Sequence, residues 1–253
     1  MRKFSVPQRK NRKTKPDLMG QPLCIHAGDG RELVIATDNA GGIGLKPNDN
    51  VQVAYQTVAE SLFRVSLMDC LSIGATPFAV TISNFVGDEI WEELEQTVRS
   101  LETSLGFSLD ITGSTESNME MSQSAISLSM LGWVHFAEKR IEIPSEELGV
   151  AIIGEPLVGN DVIDYPEKIA PLELFVTITK QRWIYDSLPV GSKGIQHRIK
   201  ELKEKYKWED RDFVIPFDVN ASGGPSTSFI ITYDRKHKGN LIRIADRYTT
   251  FFD

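Results

Sequence analysis

The stretch Val51–Pro77, VQVAYQTVAESLFRVSLMDCLSIGATP, decides the fold class. Val51, Tyr55, Val58, Leu62 and Val65 recur at helical spacing and form one apolar stripe, so a helix is predicted from about Asp49 onward. The next position on that stripe is Asp69. A carboxylate on the buried face of a helix is costly unless it is paired, hydrogen-bonded or bound to a metal. Gly74 supplies a helix stop, and Pro77 prevents continuation.

Outward from this helix the pattern alternates. Before it, Leu33–Thr37 (LVIAT) reads as a buried strand ending in Asp38, followed by a loop that contains Gly41, Gly42 and Gly44. After it, Phe78–Asn84 reads as a strand. A helix capped by Asp88 follows, with apolar face Ile90, Leu94, Val98, Leu101 and Leu105. Phe107–Thr112 and Ala125–Val134 are predicted strands, joined by a polar loop over Gly113–Ser117. Such an order predicts an α/β layer on one sheet. A second unit is predicted from Leu148, with strands at Val150–Ile153, Leu174–Thr179, Phe213–Phe217, Phe229–Tyr233 and Leu241–Ala245. Ile195, Ile199, Leu202 and Tyr206 mark a charged helix there. The organisation expected is a basic, disordered tail over 1–19, a first domain over 20–147 and a second over 148–253.

Charge narrows the function classes. Seven basic side chains and no acidic one fall in the first 15 residues; removing them leaves 21 basic against 35 acidic, a formal charge of −14 on the remainder. An acidic body argues against a nucleic-acid surface. No run of about 18 apolar residues exists to span a membrane. Two distant cysteines, Cys24 and Cys70, exclude a disulfide framework and fit a reducing cytoplasm.

Four acids lie at the ends of predicted elements: Asp29 in AGDG, Asp38, Asp69 and Glu116. Hard oxygen ligands from strand and helix ends suit Mg²⁺ bound together with phosphate oxygens. Taken singly, a strand-end Asp is more often a cap or turn residue; Asp69, on the helix stripe, is the exception. The chain has neither a Walker A loop nor a GxGxxG fingerprint. Ser222-Gly223-Gly224, after Asp218, is either a plain turn or a backbone cradle for an anion.

The order of the segments AGDG, LVIATDNAGG, LMDCLSIGATP, VTISNF, LDITGST and AISLSMLGWV, over about residues 25–135, resembles the superfamily of aminoimidazole ribonucleotide synthetase, thiamine-monophosphate kinase and selenophosphate synthetase. In its helix-end motif Met68 stands where the family has Asn. The resemblance implies a PurM-like N-terminal α/β domain with a mixed sheet, followed by a smaller α+β C-terminal domain. It also implies a homodimer formed through the N-terminal sheet, with ATP and Mg²⁺ near the interface. By the same resemblance, Asp29, Asp38 and Asp69 hold metal, Asp38 and Asp69 are the catalytic acids, and Gly41 and Gly42 lie against the nucleotide. The family's GGDT loop falls on Thr112, Gly113, Ser114 and Thr115, with Ser114 in place of the acid and Glu116 as its substitute ligand. Asp218, Ser222, Gly223 and Gly224 fall near the small-molecule substrate. The activity implied is a small-molecule kinase, of the thiamine-monophosphate or α-ribazole type. The alternatives are an ATP-dependent ligase or cyclase and a non-catalytic nucleotide binder.

Overall fold

The computed structural model describes residues 21–28, 30–135 and 144–252. The basic tail and Asp29 lie outside these residues, as does most of the predicted domain boundary. In the first half the elements run β1 (Leu23–His26), β2 (Arg31–Gly41), the two-residue strands β3 (Ile43–Gly44) and β4 (Val51–Gln52), and α1 (Tyr55–Ser72). They continue with β5 (Thr76–Asn84), α2 (Trp91–Leu105), β6 (Asp110–Thr115) and β7 (Ala125–His135). Five of the strands form a mixed sheet in the order β1-β2-β7-β5-β6, antiparallel throughout except for the β5–β6 pair. That parallel pair needs a crossover, which α2 provides. The left-handed Gly106, φ 74°, ends α2.

The second half adds β8 (Leu148–Ile153), the one-turn α3 (Asp161–Asp164), α4 (Leu172–Thr179), β9 (Ile184–Pro189) and α5 (Gly194–Tyr206). It closes with β10 (Phe229–Asp234), α6 (Lys238–Ala245) and β11 (Thr249–Phe251). An antiparallel sheet runs β11-β8-β10-β9. Every residue of β8 is buried, because both faces of this sheet are covered. Leu148, Val150 and Ile152 face a core shared with Ile195, Ile199 and Leu202 of α5. Ala151 and Ile153 join a larger core that includes Phe63 and Leu67 of α1, Phe175 of α4 and Val34 of β2.

α1 therefore lies between the two sheets, and its buried set is broader than one stripe: Tyr55, Val58, Ala59, Leu62, Phe63, Ser66, Leu67, Met68 and Cys70. Ser66 is tolerated there because its hydroxyl donates to the Leu128 carbonyl at 3.1 Å. Phe175 and Phe229 meet edge to face with ring centroids 4.7 Å apart.

Several expectations are corrected. α1 starts at Tyr55, not near Asp49, because Val51 pairs with Ile43 in a short parallel bridge. Asp49 instead ties down the preceding loop, accepting from the Lys46 amide and from the amide and hydroxyl of Ser124. β2 continues through Gly41, since β7 pairs along its whole length, so Asp38 sits three residues inside the strand. Gly113–Thr115 belong to β6 and not to a loop. The runs at 174–179 and 241–245 are helical. Phe213–Phe217 forms no strand, although Phe213, Ile215 and Phe217 pack on the second core and Val214 is 83 % exposed.

Candidate functional site

Asp38 shares a face of β2 with the buried Val34 and Ala36, so it points toward α1. Asp69 is in the last turn of α1. Both line one cavity of about 320 Å³ whose opposite wall is Gly191, Lys193, His197 and Arg198, where β9 turns into α5. Burial raises the Asp38 carboxyl to about 6, opposed by a hydrogen bond from the Asn39 backbone. Burial also raises Asp69 to about 6; Arg198 opposes the shift, and the like charge of Asp38 adds to it. Arg198 is held in place, with Nε donating to the Pro189 carbonyl at 2.7 Å and a terminal nitrogen to Glu201 at 2.8 Å.

The site thus sets two half-buried carboxylates against the cationic side chains of Lys193 and Arg198. Among the described residues no group of three His, Cys, Asp or Glu side chains could hold a metal ion. Two carboxylates are nevertheless a sufficient protein contribution for Mg²⁺, which keeps several waters and completes its shell from phosphate. The donor set therefore fits that ion, and Asp38 and Asp69 are the residues that would hold it.

Glu116 is not brought to this cavity. Asp38 is in register with Leu128, Leu128 with Ile82, and Ile82 with Gly113. Three strand spacings, about 14 Å, separate β2 from β6. Glu116 lies just past β6, where its Oε1 accepts from the amides of Asn118 and Met119. Ser114 is exposed, and Thr115 accepts from Asn84 at 3.1 Å. At Gly113 a Cβ would lie 2.1 Å from the Ile82 carbonyl and 2.6 Å from the Trp91 ring, so this glycine lets Trp91 close onto the sheet. The Gly42 amide donates to the Ser124 carbonyl at 2.8 Å, and its own carbonyl accepts from Asn50, closing the loop after β2. Gly41 is exposed at the end of that strand.

The segment after Asp218 is also committed locally. The exposed Asp218 accepts from the Asn220 amide. The Gly223 amide donates to Gly191, and the Gly224 amide to the Ser222 hydroxyl. Neither glycine amide is presented to an anion, while Gly224 does border the cavity. A Cβ on Gly223 would sit 2.1 Å from the Val190 carbonyl. Gly223→Ala is accordingly expected to cost about 2–4 kcal/mol of stability. A urea midpoint equal to wild type would refute that close approach.

Lys193, His197 and Arg198 escaped the sequence reading. The available signal was the glycine-bearing stretch Leu188–Ile195 (LPVGSKGI), placed just before the charged helix. Among the described residues no helix is long and apolar enough to cross a membrane.

No family model matches the chain, and no curated protein matches it. Solved structures do. PurL of Thermotoga maritima complexed with ATP superposes with a TM-score of 0.58 at 14 % identity, over 92 % of this chain and 42 % of that one. Thiamine-monophosphate kinase of Stenotrophomonas maltophilia K279a gives 0.58 at 12 % identity, over 88 % and 83 %. The HypE–HypF complex gives 0.56 at 12 %, over 87 % and 83 %. The chain spans about two-fifths of the PurL chain.

Proposed function

Since the chain has the PurM-like fold, we propose that it is a Mg²⁺-dependent phosphotransferase that moves the γ-phosphoryl group of ATP to a small-molecule acceptor. The convergence of Asp38 and Asp69 in one cavity between the two sheets carries this reading. PurL, similar in fold, has been solved with ATP and with ADP, which supports a nucleotide as the ligand. Mg²⁺ held by Asp38 and Asp69 would supply charge neutralisation on the β- and γ-phosphates. Arg198, pinned by Pro189 and Glu201, adds fixed positive potential at the same place. The acceptor's hydroxyl oxygen bonds to the γ-phosphorus as the bond to the β,γ-bridging oxygen breaks. The electron pair leaves on ADP, and the hydroxyl proton passes to the Asp38 carboxylate. Such a transfer requires positioning and charge stabilisation, not a nucleophilic side chain.

Calorimetric titration of ATP, with and without Mg²⁺, tests the reading. Binding that requires Mg²⁺ supports it, and absence of binding overturns it. A phosphorylated product identifies a kinase, free phosphate with ring closure a cyclase, and binding without turnover the non-catalytic alternative, for which the acid-free Gly113–Thr115 strand is the motive. Affinity should also fall with acidity, because protons compete with the metal for both carboxylates. With both pKa values at about 6, each group is about one-tenth ionised at pH 5, so Mg²⁺-ATP should bind about a hundredfold more weakly there than at pH 8. A flat profile would mean that these carboxylates do not hold the ion.

The face of the five-stranded sheet turned away from α1 carries the exposed Thr37, Ser83, Thr112 and Ser114. We infer a homodimer through this face, in the reducing cytoplasm that two cysteines outside any disulfide fit. A solution mass of one chain would refute the dimer.

A further inference from the structure

The two walls of the site come from different halves of the chain. Asp38 and Asp69 belong to β2 and α1, whereas Lys193, His197 and Arg198 belong to the turn from β9 into α5. Residues 218–228, which form neither helix nor strand, run as a strap between the two walls. On one side the strap is laid along the cationic turn. The Gln196 amide donates to the Val219 carbonyl at 2.8 Å, the Gly223 amide to Gly191 at 3.0 Å and the Val190 amide to Ser228 at 2.9 Å. Glycines permit this approach: a Cβ on Gly194 would lie 2.7 Å from the Val219 carbonyl.

On the other side the strap is gripped from α1. Arg64 donates to the Pro225 carbonyl at 3.1 Å and to the Ser226 carbonyl at 3.0 and 2.9 Å, and it reaches Ala170 as well. The grip falls where the strap is least relaxed. Gly224 has φ 49° and Ser226 has φ 54°, a left-handed backbone that serine rarely adopts. Ser226 is buried, and such a conformation persists only where its surroundings over-determine it. The planar guanidinium fork, with donors in fixed directions, supplies that constraint.

We propose that Arg64 is a positioning residue of the candidate site: by holding the strap on α1 it sets the spacing between the carboxylates and the cationic turn, and so the fit of Mg²⁺-ATP between them. The inference rests on the phosphotransferase reading and deepens it. Arg64 does not line the cavity that holds Asp38 and Asp69, so its effect passes through the strap. The link is continuous: α1 carries Asp69 and Arg64, Arg64 holds Pro225 and Ser226, and the strap carries the turn on which Lys193 and Arg198 stand. A misplacement on the order of 1 Å can cost about a hundredfold where catalysis depends on orientation.

The test compares two variants of the full chain that loosen contact between the halves. Arg64→Lys keeps the charge and loses the fork. Phe175→Leu thins the shared core at its contact with Phe229 and leaves the strap untouched. Mg²⁺-ATP affinity is measured by calorimetry at a temperature where both are folded, and amide exchange by mass spectrometry over residues 188–198 and 218–228. Arg64→Lys is expected to weaken Mg²⁺-ATP by about tenfold or more and to speed exchange in both stretches. Phe175→Leu should keep the affinity within about twofold and leave exchange there unchanged. Should Arg64→Lys not fold, Ser226→Gly takes its place. Glycine adopts the left-handed backbone freely, so the strap loosens while every carbonyl that Arg64 holds is kept, and both readouts should move the same way by about threefold. Affinity equal to wild type, or a loss in Phe175→Leu as large as in Arg64→Lys, overturns the positioning role and leaves Arg64 a structural clamp, with the phosphotransferase reading intact. A wild-type chain that binds no Mg²⁺-ATP removes that reading, and the positioning role with it.

Discussion

Asp69→Asn is expected to abolish Mg²⁺-dependent ATP binding and, in the metal-free protein, to raise the melting temperature at pH 7.5. The two effects share one cause. Folding buries the Asp69 carboxyl near Asp38 and lifts it from the ordinary 3.8 to about 6. The folded state therefore holds its proton over a range where the unfolded state has released it, and stability falls as pH rises from about 4 through 6. Two pKa units correspond to about 3 kcal/mol at most. Asparagine removes that burden and also relieves the repulsion on Asp38. For a chain of this length the gain is on the order of 5 °C. It should be present at pH 7.5 and absent at pH 4, where wild type is already protonated. Thermal scans in chelator at both pH values check this. A mutant that melts lower than wild type at pH 7.5 would show that the carboxylate serves the fold.

Arg64→Met is expected to have the largest effect on stability, a loss of about 3–5 kcal/mol. From α1 the guanidinium reaches three carbonyls of the other half: Ala170 at 2.7 Å, Pro225 at 3.1 Å and Ser226 at 2.9 and 3.0 Å. Burial lowers its pKa to about 10, with Glu173 opposing. Methionine fills much of the volume but leaves all three acceptors without their donor. Lysine should rescue little, since one ammonium cannot reproduce the planar fork that spans them. A fall of roughly 10 °C in melting temperature is predicted. A shift below 2 °C would mean that other contacts hold the Pro225–Ser226 segment in place.

Much of the first half was readable because its signals are long. The run from Tyr55 to Asp69 covers four turns, enough for helical period to exclude alternation, and it pointed to the half-buried carboxylate of Asp69. The second half offered only short apolar runs. In Leu172–Thr179, Leu172, Phe175, Val176 and Ile178 are all buried, and eight residues do not distinguish a helix in a core from a strand in one. Phe213–Phe217 alternates as a strand does, yet no neighbour pairs with it along its length. At the candidate site, the structure brings Asp38 and Asp69 to one cavity and leaves Glu116, past the far edge strand, away from it. The strand ends suggested proximity, and strand order is not written in local pattern. Arg198 lies near the start of a helix rich in charge, where its type suggests solvation; the turn from β9 into α5 brings it, half-buried, to the cavity, while Lys193 reaches the same wall and stays exposed.

The placement of β7 has a consequence for synthesis. β7 is the last strand of the first sheet in the chain, yet it is paired on both sides, with β2 and with β5. While the ribosome has yet to release Ala125–His135, β1–β2 and β5–β6 are two separate ribbons, each with an open edge of unpaired amides and carbonyls. Nascent chains of this protein pass through a window in which those edges are templates for foreign strands. Insertion of the final strand closes both at once, so the emergence of these eleven residues sets when the half becomes safe from aggregation.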